Sequence, residues 1–485
     1  MRARKWIDRA VPVFVLAAGA GACAVNPVTG ERQLTLVSEA QEIQMGREYD
    51  QQIVAEMGLH PDESLQAYVQ GLGSRLAAKS ERPHLPWTFR VVDDPVVNAF
   101  ALPGGYIYIT RGILAHLNSE AELAAVIGHE IGHVTARHSV HQLSRAMLAQ
   151  VGLGAASIFS ETVARYAGVA NAAMGVLFLK YGRDDERQSD DLGLRYMRAA
   201  GYDPREMAGV FEMLGRVTEA SGGGGTPEWL STHPNPENRY ERITAQVAAL
   251  PQEFDGAVVA RDEYLRRLDG LVYGDDPRQG YFRGSEFLHP ELRFRLQFPE
   301  GWATANQRQA VLAMSPSQDA LIQLTLSSAA SAEAAAREFA SQDGVDAGAP
   351  MSTRINGLRA AVVEFAATNG DGQPLEGGAA FIEYDGRVYQ LLGYAAAGRW
   401  SSYLGVATRT AESFAPLTDP ALLDVEPMRI EIVRLERAMT IEEFARAYPG
   451  PVDAARLALI NGVQPGERMP AGRLVKRVIG RKPAS

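Results

Sequence analysis

Apolar residues at helical spacing predict a long helix in the first half of the chain. They are Leu123, Val126, Ile127, Val134 and Leu143. Ser119 followed by Glu122 has the form of a capping box, which marks where a helix begins. No proline interrupts the chain from Glu120 to Gln150. We therefore expect the helix to begin at Glu120 and to continue without a predicted break to Gln150.

Alternating apolar and polar residues predict strands further along the chain. In residues 292–298, leucine and phenylalanine alternate with arginine and glutamine. Residues 381–384 and 388–392 are predicted strands that flank Asp385-Gly386, a pair typical of a two-residue hairpin turn. With a helical pattern at residues 331–340, these runs predict an α+β domain over residues 281–420, with a PsbP-like sandwich as one form of it.

Residues 426–481 are predicted to have the order strand, helix, helix, strand. The four predicted elements are residues 430–435, 441–447, 453–461 and 474–479. This βααβ order resembles a LysM module, and the resemblance implies binding of N-acetylglucosamine-containing glycans such as peptidoglycan. The usual Gly-Asp-Thr entry is replaced by Ala438-Met439-Thr440, so a docking role is equally open.

The most informative motif is His129-Glu130-Ile131-Gly132-His133, inside the predicted helix. Because His129 and His133 are four residues apart, both imidazoles leave the same helix face and can bind one metal ion. Glu130 is turned aside from that face, where it can accept a proton from a water beside the metal. The motif predicts zinc-dependent hydrolysis of peptide bonds, with a coincidental histidine pair as the alternative.

Catalytic zinc needs a third protein ligand, and the acidic stretch after Gly182 is where we expect it. It opens a predicted helix that runs to about Ala200 and stops at Gly201. Glu186 and Asp190 share a helix face, so one carboxylate can bind the metal while the other holds a ligand histidine. An acidic first turn favoured by the helix dipole is the alternative. Three residues compete with Glu186 by spacing, namely Asp184, Asp185 and Asp191.

These motifs, followed by Thr232-His233-Pro234 and Arg239, resemble the M48 metallopeptidases from roughly residue 25 to residue 250. The resemblance implies a mainly helical, gluzincin-like α+β fold and one zinc ion per chain. The zinc ligands that it implies are His129, His133 and Glu186. It further implies Glu130 as the general base and Asp190 as the partner of a ligand histidine.

The resemblance leaves two roles open for His233 and two for Arg239. His233 is implied to face the active site, where it stabilises the oxyanion or occupies the open position of zinc as a self-inhibiting ligand. Arg239 holds the substrate carbonyl oxygen or a neighbouring carboxylate. Ser189 departs from the family pattern, which usually has alanine there. His138 and His141 are three residues apart on the same predicted helix, and no carboxylate is placed to complete a second site with them.

The segment before the motif is a candidate for binding an extended peptide. Residues 106–110 are predicted to form a strand after the turn Pro103-Gly104-Gly105. The residues that we expect at the substrate-binding edge are Asn98, Ala99, Phe100 and Ala101. Main-chain pairing there would let many sequences bind, and a core hairpin is the alternative. The glycine run 222–225 is a candidate lid, and residues 146–179 are predicted to form a helical hairpin.

The N-terminus has the pattern of a secretory signal. Four basic residues precede the apolar residues 10–22, and Cys23, the only cysteine, follows them. A lone cysteine excludes an intramolecular disulfide framework and suits a lipid anchor. Ala18-Gly19-Ala20 equally suits ordinary signal cleavage. Residues 25–30 resemble the start of M48 lipoproteins, and Ala24 after the cysteine favours the outer membrane of a Gram-negative cell.

The length of the chain bears on its domain organisation, and its net charge bears on its partners. A chain of 485 residues is too long for one ordinary domain. We expect a signal peptide (1–22), a metalloprotease domain (23–255), a linker (256–280), the α+β domain and the LysM-like module. The net charge of −10 becomes more negative without the basic signal, which argues against nucleic acid and against electrostatic binding to anionic lipid.

Together these features predict a periplasmic, lipid-anchored zinc endopeptidase that cleaves polypeptides of the cell envelope. The alternative is an envelope chaperone or binding scaffold whose zinc site is self-inhibited. An aminopeptidase would need an acidic group that anchors the substrate N-terminus, and no motif for one is present.

Overall fold

The computed structural model describes residues 23–153, 181–220, 233, 239–250, 254–368 and 372–481. They belong to two compact units. One comprises Met1–Gly274 with Arg429–Ile479, and the other Asp275–Met428 with Gly480–Ser485. The predicted signal peptide, most of the predicted helical hairpin and the glycine run lie outside the described residues. Within the described parts of the chain, no helix is both long and apolar enough to cross a membrane.

Helices dominate the first unit. Its helices before residue 275 are α1 (Glu39–Met57), α2 (Glu63–Ala77), α3 (Arg111–His116), α4 (Glu120–Thr135), α5 (His138–Leu153), α6 (Arg183–Ala199), α7 (Glu206–Ala220), α8 (Arg239–Ala248) and α9 (Arg261–Arg267). Its strands there are β1 (Cys23–Val25), β2 (Arg32–Leu34), β3 (Thr88–Val92), β4 (Ala99–Leu102) and β5 (Tyr106–Thr110). The helix α4 carries residues 129–133. All of its residues are buried except Glu120 and Glu122, which are half-buried.

The start of α4 is fixed by side-chain hydrogen bonds. The hydroxyl of Ser119 accepts a hydrogen bond from the amide of Glu122 at 3.1 Å, as an N-cap does. The Glu122 carboxylate accepts from the amide of Asn118 at 2.5 Å. The predicted cap at Ser119 is therefore confirmed, although the carboxylate reaches one residue further back than in a capping box.

The helix that we predicted from residue 120 to residue 150 is broken at Arg137, so this prediction was wrong. Arg137 has a φ of 62°, a left-handed conformation, and α5 begins at the next residue. Its side chain donates to the Glu42 carboxylate at 3.0 Å and to the Val37 carbonyl at 2.8 Å. The break depends on contacts with residues far away in sequence, which apolar spacing cannot reveal.

The small sheet beside α4 has the order β3, β5, β4. The strand β5 is parallel to β3 and antiparallel to β4, with Ala99 opposite Ile109. The predicted strand and the preceding turn are confirmed, because Gly104 and Gly105 have φ values of 82° and 101°. In the described part of the chain, β4 is an edge strand of this sheet, and it packs against α4.

Glycines allow α4 and α6 to approach closely. A methyl group at Gly193 would lie 2.9 Å from the backbone nitrogen of His129, and one at Gly132 would lie 3.0 Å from the Cα of Ser189. Both contacts are with backbone atoms, which cannot move aside as a flexible side chain can. The closest part of this helix pair therefore lies at residues 129–133.

The second unit is built on antiparallel strands. Its strands are β6 (Tyr281–Arg283), β7 (Glu286–His289), β8 (Phe294–Gln297), β9 (Ala303–Asn306), β10 (Ala310–Met314), β11 (Ala320–Ser327), β12 (Val345–Ala347), β13 (Met351–Ile355), β14 (Leu358–Thr368), β15 (Pro374–Tyr384), β16 (Arg387–Ala396) and β17 (Ala415–Pro416). Its helices are α10 (Ala332–Ala340), α11 (Trp400–Glu412) and α12 (Pro420–Leu423). The predicted alternation in β8 is confirmed, with Phe294 and Leu296 buried and Arg295 and Gln297 exposed. The predicted hairpin turn is confirmed at Asp385-Gly386, where both φ values are positive.

The C-terminal segment packs within the first unit. It consists of β18 (Arg429–Arg434), β19 (Met439–Thr440), α13 (Ile441–Ala447), α14 (Ala454–Asn461), β20 (Arg468–Met469) and β21 (Leu474–Ile479). The predicted strand, helix, helix, strand order is confirmed. The ammonium group of Lys476, a fully buried side chain, donates to the carbonyls of Ala115 at 2.9 Å and Leu117 at 2.7 Å. These carbonyls lie at the end of α3, directly before α4. Arg216 of α7 donates to the Val463 carbonyl at 2.9 Å.

The substitution Gly193→Ala tests the close approach of α4 and α6. We expect the free energy of unfolding to fall by about 1–3 kcal/mol, because the added methyl group overpacks against the backbone of α4. Gly215→Ala in α7 is the matched control, since no heavy atom lies within 4 Å of its added methyl group. It should be neutral or stabilise by up to about 1 kcal/mol, because alanine favours helix more than glycine. Urea unfolding that gave equal midpoints for both variants would contradict the account.

Candidate metal centre

The helix α4 directs two imidazoles to one point. Their Nε2 atoms, in His129 and His133, are 3.0 Å apart, and neither side chain is more than 3% exposed. The carboxylate of Glu186 on α6 lies 3.6 Å from the Nε2 of His129 and 3.5 Å from that of His133. The motif and the proposed third ligand are thus brought together from two helices.

The partner of His129 is Asp190, one turn after Glu186 on α6. The Asp190 carboxylate lies 3.0 Å from the Nδ1 of His129. An ionised carboxylate can only accept a hydrogen bond, so His129 donates through Nδ1 and presents the lone pair of Nε2 to the cluster. Burial opposes ionisation of Asp190, but Arg239 and His129 hold its pKa below the ordinary value.

Arg239, the first residue of α8, binds both carboxylates of α6. Its Nη1 lies 3.0 Å from Glu186, its Nε donates to Asp190 at 3.0 Å, and its Nη2 is also paired with Asp190. Of the two roles left open by the sequence, the observed contacts are those of an arginine that holds neighbouring carboxylates. The guanidinium is 4.3 Å from the ring centroid of Phe211, which covers it.

His233 lies in the cluster, with 1% of its surface exposed. Its Nδ1 is 2.8 Å from the Glu186 carboxylate and 3.4 Å from the Nε2 of His129. Burial opposes its protonation, but the carboxylates of Glu186 and Glu130 raise the pKa of His233. One ligand atom from each of four buried residues, including His233, lies within 4.8 Å of the others.

Glu130 lies beside the same cluster without a hydrogen bond from the described residues. Both carboxylate oxygens are buried, and neither has a hydrogen bond to any described residue. The nearest charged contact is the Nε2 of His233 at 3.6 Å. Burial raises the pKa of Glu130 to about 8. A buried carboxyl group that lacks a protein partner is costly unless a water, an ion or a substrate meets it.

The donor set suits a zinc ion. Two imidazole nitrogens and a carboxylate oxygen are the ligands of one class of catalytic zinc site. The lone pair of His129 Nε2 faces the Nε2 of His133 at 3.0 Å, an approach that a shared cation would stabilise. The three residues that competed with Glu186 make other contacts. Asp185 accepts a hydrogen bond from the amide of Gly182 at 2.9 Å, and its other oxygen lies 3.6 Å from the Nε2 of His138. Asp184 is exposed and contacts Arg187, while Asp191 pairs with Arg242.

Two residues of the site were missed by the sequence analysis. The Nδ1 of His138 lies 3.0 Å from the Nδ1 of His133, because the break at Arg137 turns α5 back towards the motif. On one continuous helix, a residue five positions later would project about 140° away from His133. Tyr181 stacks on His133, with ring centroids 3.9 Å apart. Its hydroxyl contacts that of Ser139 at 2.8 Å.

The roles that the sequence suggests for the remaining candidate residues stay predictions. Asn98, Ala99, Phe100 and Ala101 lie in or beside β4 and are at most 5% exposed. Cys23 begins the short strand β1, which pairs with β2. The lipid anchor on Cys23 stays a prediction.

With this geometry in view, the chain can be compared with known proteins. Residues 63–247 match the model of peptidase family M48. The matched segment contains the two histidines of α4, the two carboxylates of α6 and Arg239. Because the family consists of metallopeptidases, we expect these residues of the matched segment to bind a metal ion.

Curated relatives match the same half of the chain. The beta-barrel assembly-enhancing protease of Escherichia coli K12 is 32% identical over 224 residues, which are 44% of this chain and 45% of that protein. The mitochondrial metalloendopeptidase OMA1 of Arabidopsis thaliana is 35% identical, over 36% of this chain and 34% of that protein. OMA1 of Schizosaccharomyces pombe is 32% identical, over 45% of this chain and 64% of that protein. The family match and these names support a zinc metalloprotease. The chain spans less than two thirds of the length of each relative.

A solved structure resembles part of the chain weakly. Cyanobacterial PsbP from Synechocystis covers 28% of this chain and 95% of its own, with 17% identity and a TM-score of 0.24. A similarity of this size carries no argument about the fold, so the PsbP-like form of the second unit stays a prediction.

The substitution Asp190→Asn tests the support of the metal centre. It keeps the shape of the side chain but removes the charge that pairs with Arg239 and orients His129. We expect zinc affinity, measured by competition with a chromogenic chelator, to fall about 10–100-fold. Asp184→Asn is the control, because Asp184 lies on the same helix, is exposed and contacts Arg187 rather than the cluster. Equal zinc affinities in the two variants would contradict the role of Asp190.

Proposed function

We propose that this protein is a zinc-dependent endopeptidase of the cell envelope. The observation that carries the proposal is the buried carboxylate of Glu130, which has no hydrogen bond to any described residue and lies beside four buried side chains that could hold a metal ion. A structural zinc site has four protein ligands and needs no additional buried carboxylate. A general base, in contrast, must lie within hydrogen-bond reach of the water from which it takes a proton.

Each residue has a defined task in this proposal. His129, His133 and Glu186 hold the metal, while Asp190 keeps His129 in the tautomer that presents Nε2. Bound zinc supplies polarisation of the scissile carbonyl and lowers the pKa of a nearby water. Glu130 accepts the proton from that water and later donates it to the leaving amine.

We further propose that His233 keeps the resting enzyme closed. Its Nδ1 is within 3.4 Å of His129 and 2.8 Å of Glu186, so it is close enough to share the metal with them. A fourth protein ligand would take the position that water and substrate need. The alternative function, a chaperone or scaffold with a closed zinc site, rests on the same contacts of His233.

The substrates that we propose are extended polypeptides. The proposal is supported by β4, an edge strand among the described residues that packs against α4, the helix that carries the motif. A peptide that adds to this edge would be held through its main chain, with little demand on its sequence. The proposed binding residues are Asn98, Ala99, Phe100 and Ala101.

The cellular setting is also a proposal. Secretion with a lipid on Cys23 would place the enzyme at the outer membrane, facing the periplasm, and contact with peptidoglycan would come from residues 426–481. The match to proteases named for β-barrel assembly agrees with a role in envelope quality control. The negative net charge of the chain favours neither nucleic acid nor anionic lipid as a partner.

The substitution Glu130→Gln tests the proposed chemistry. Wild type should contain about one zinc per chain, and Glu130→Gln should retain the metal while casein cleavage falls about 10²–10⁴-fold. Glu241→Gln, an exposed position on α8, is the control for a general effect of losing a carboxylate. Cleavage that survived Glu130→Gln would overturn the peptidase proposal. Loss of cleavage with full retention of binding to an unfolded client would separate catalysis from a scaffold role.

The substitution His233→Ala tests the proposed closure. If His233 occupies a metal position in the resting enzyme, its removal should increase casein cleavage without a loss of zinc. The measurement is kcat/KM together with the metal content of the same preparation. A decrease in kcat at unchanged zinc content would instead indicate that His233 stabilises the oxyanion, and it would contradict self-inhibition.

A further inference from the structure

His138 contacts His133 through the ring nitrogen of His133 that faces away from His129 and Glu186. It is the first residue of α5, is 2% exposed, and its Nδ1 lies 3.0 Å from the Nδ1 of His133. Since the Nε2 of His133 faces His129 and Glu186, Nδ1 is the nitrogen of His133 that is left to make a hydrogen bond. The predicted function assigns no role to His138.

The other nitrogen of His138 has its own partner, which fixes the direction of the hydrogen bonds. Its Nε2 lies 2.9 Å from the Oε1 of Gln188, an amide oxygen that can only accept. His138 therefore carries its proton on Nε2 and accepts through Nδ1. The donor to Nδ1 is the N–H of His133, which leaves the lone pair of His133 on Nε2, where the metal binds.

We propose that His138 is a positioning residue that holds the ligand His133 in its metal-binding tautomer. In this arrangement His133 donates a hydrogen bond to His138, and His138 donates one to Gln188. The three residues lie on α4, α5 and α6, respectively. This inference rests on the proposed function, because it takes His133 to be a zinc ligand.

The two ligand histidines are then supported in different ways. His129 donates to an ionised carboxylate, Asp190, whereas His133 donates to a neutral imidazole. The hydroxyl of Ser189 also lies 3.4 Å from the Nδ1 of His138.

An isosteric pair of substitutions tests the proposal in the full-length, zinc-loaded protein. In His138→Asn, the side-chain oxygen replaces Nδ1 at the same distance from the backbone and can still accept from His133. In His138→Leu, a methyl group takes that place and cannot accept. Both variants lose the contact with Gln188, so their difference isolates the acceptor.

The measurement is the zinc dissociation constant, obtained by chelator competition, which does not depend on activity. We expect His138→Leu to raise it about 10–100-fold and His138→Asn to recover most of the affinity. His141→Leu, on the same helix and without contact to a ligand histidine, should bind zinc as wild type does. Equal zinc affinities of the leucine and asparagine variants would overturn the proposal, because they would show that a hydrogen-bond acceptor at this position does not affect zinc binding.

Two further measurements keep the proposal falsifiable if His138→Leu does not fold. In Gln188→Met combined with Asp185→Asn, both groups that accept from the Nε2 of His138 are altered. This double variant should weaken zinc binding by less than His138→Leu does; unchanged binding would count against the proposal. The ¹⁵N resonances of selectively labelled histidine should show His138 protonated on Nε2 in the zinc-loaded protein, and protonation on Nδ1 would overturn it. Wild type without any zinc would instead refute the proposed function itself.

Discussion

The close packing of α4 against α6 is the constraint on which the metal centre depends. The helices meet backbone to backbone at Gly128, Gly132 and Gly193, where a single methyl group on Gly193 would collide with the nitrogen of His129. Only at this separation can a glutamate from α6 reach two histidines that α4 presents one turn apart. The glycines are thus part of the coordination geometry, although they carry no ligand atom.

Charge balance is the second condition for the site. Glu186 and Asp190 are fully buried, and two ionised carboxylates without compensation would not be stable there. Arg239 bridges both of them, and the pKa values of both carboxylates are held below their ordinary values despite burial. Glu130 has no such cation bonded to it, and its pKa is raised. One helix pair therefore keeps two carboxylates ionised as ligands or supports and leaves a third suited to carry a proton.

Local patterns in the sequence were sufficient for much of this architecture. The spacing of His129 and His133, and of Glu186 and Asp190, follows from one turn of helix, and the hairpin at Asp385-Gly386 follows from turn chemistry. These features depend on neighbours in sequence, so the residues themselves indicate them.

The features that the sequence did not indicate depend on distant contacts. Arg137 adopts its left-handed conformation because Glu42 and a carbonyl of the N-terminal segment bind its side chain, and that turn alone brings His138 to the ligands. Lys476 is buried against the end of α3 more than 350 residues away in sequence. An apolar pattern or a motif carries no information about such partners.

The most direct test of the central claim is to locate the metal by anomalous diffraction at the zinc absorption edge. The account predicts one strong peak per chain, at about 2.0–2.2 Å from the Nε2 atoms of His129 and His133 and from a carboxylate oxygen of Glu186. A peak at any other position, or none at this cluster in protein that contains zinc, would contradict the assignment of these residues as the metal centre.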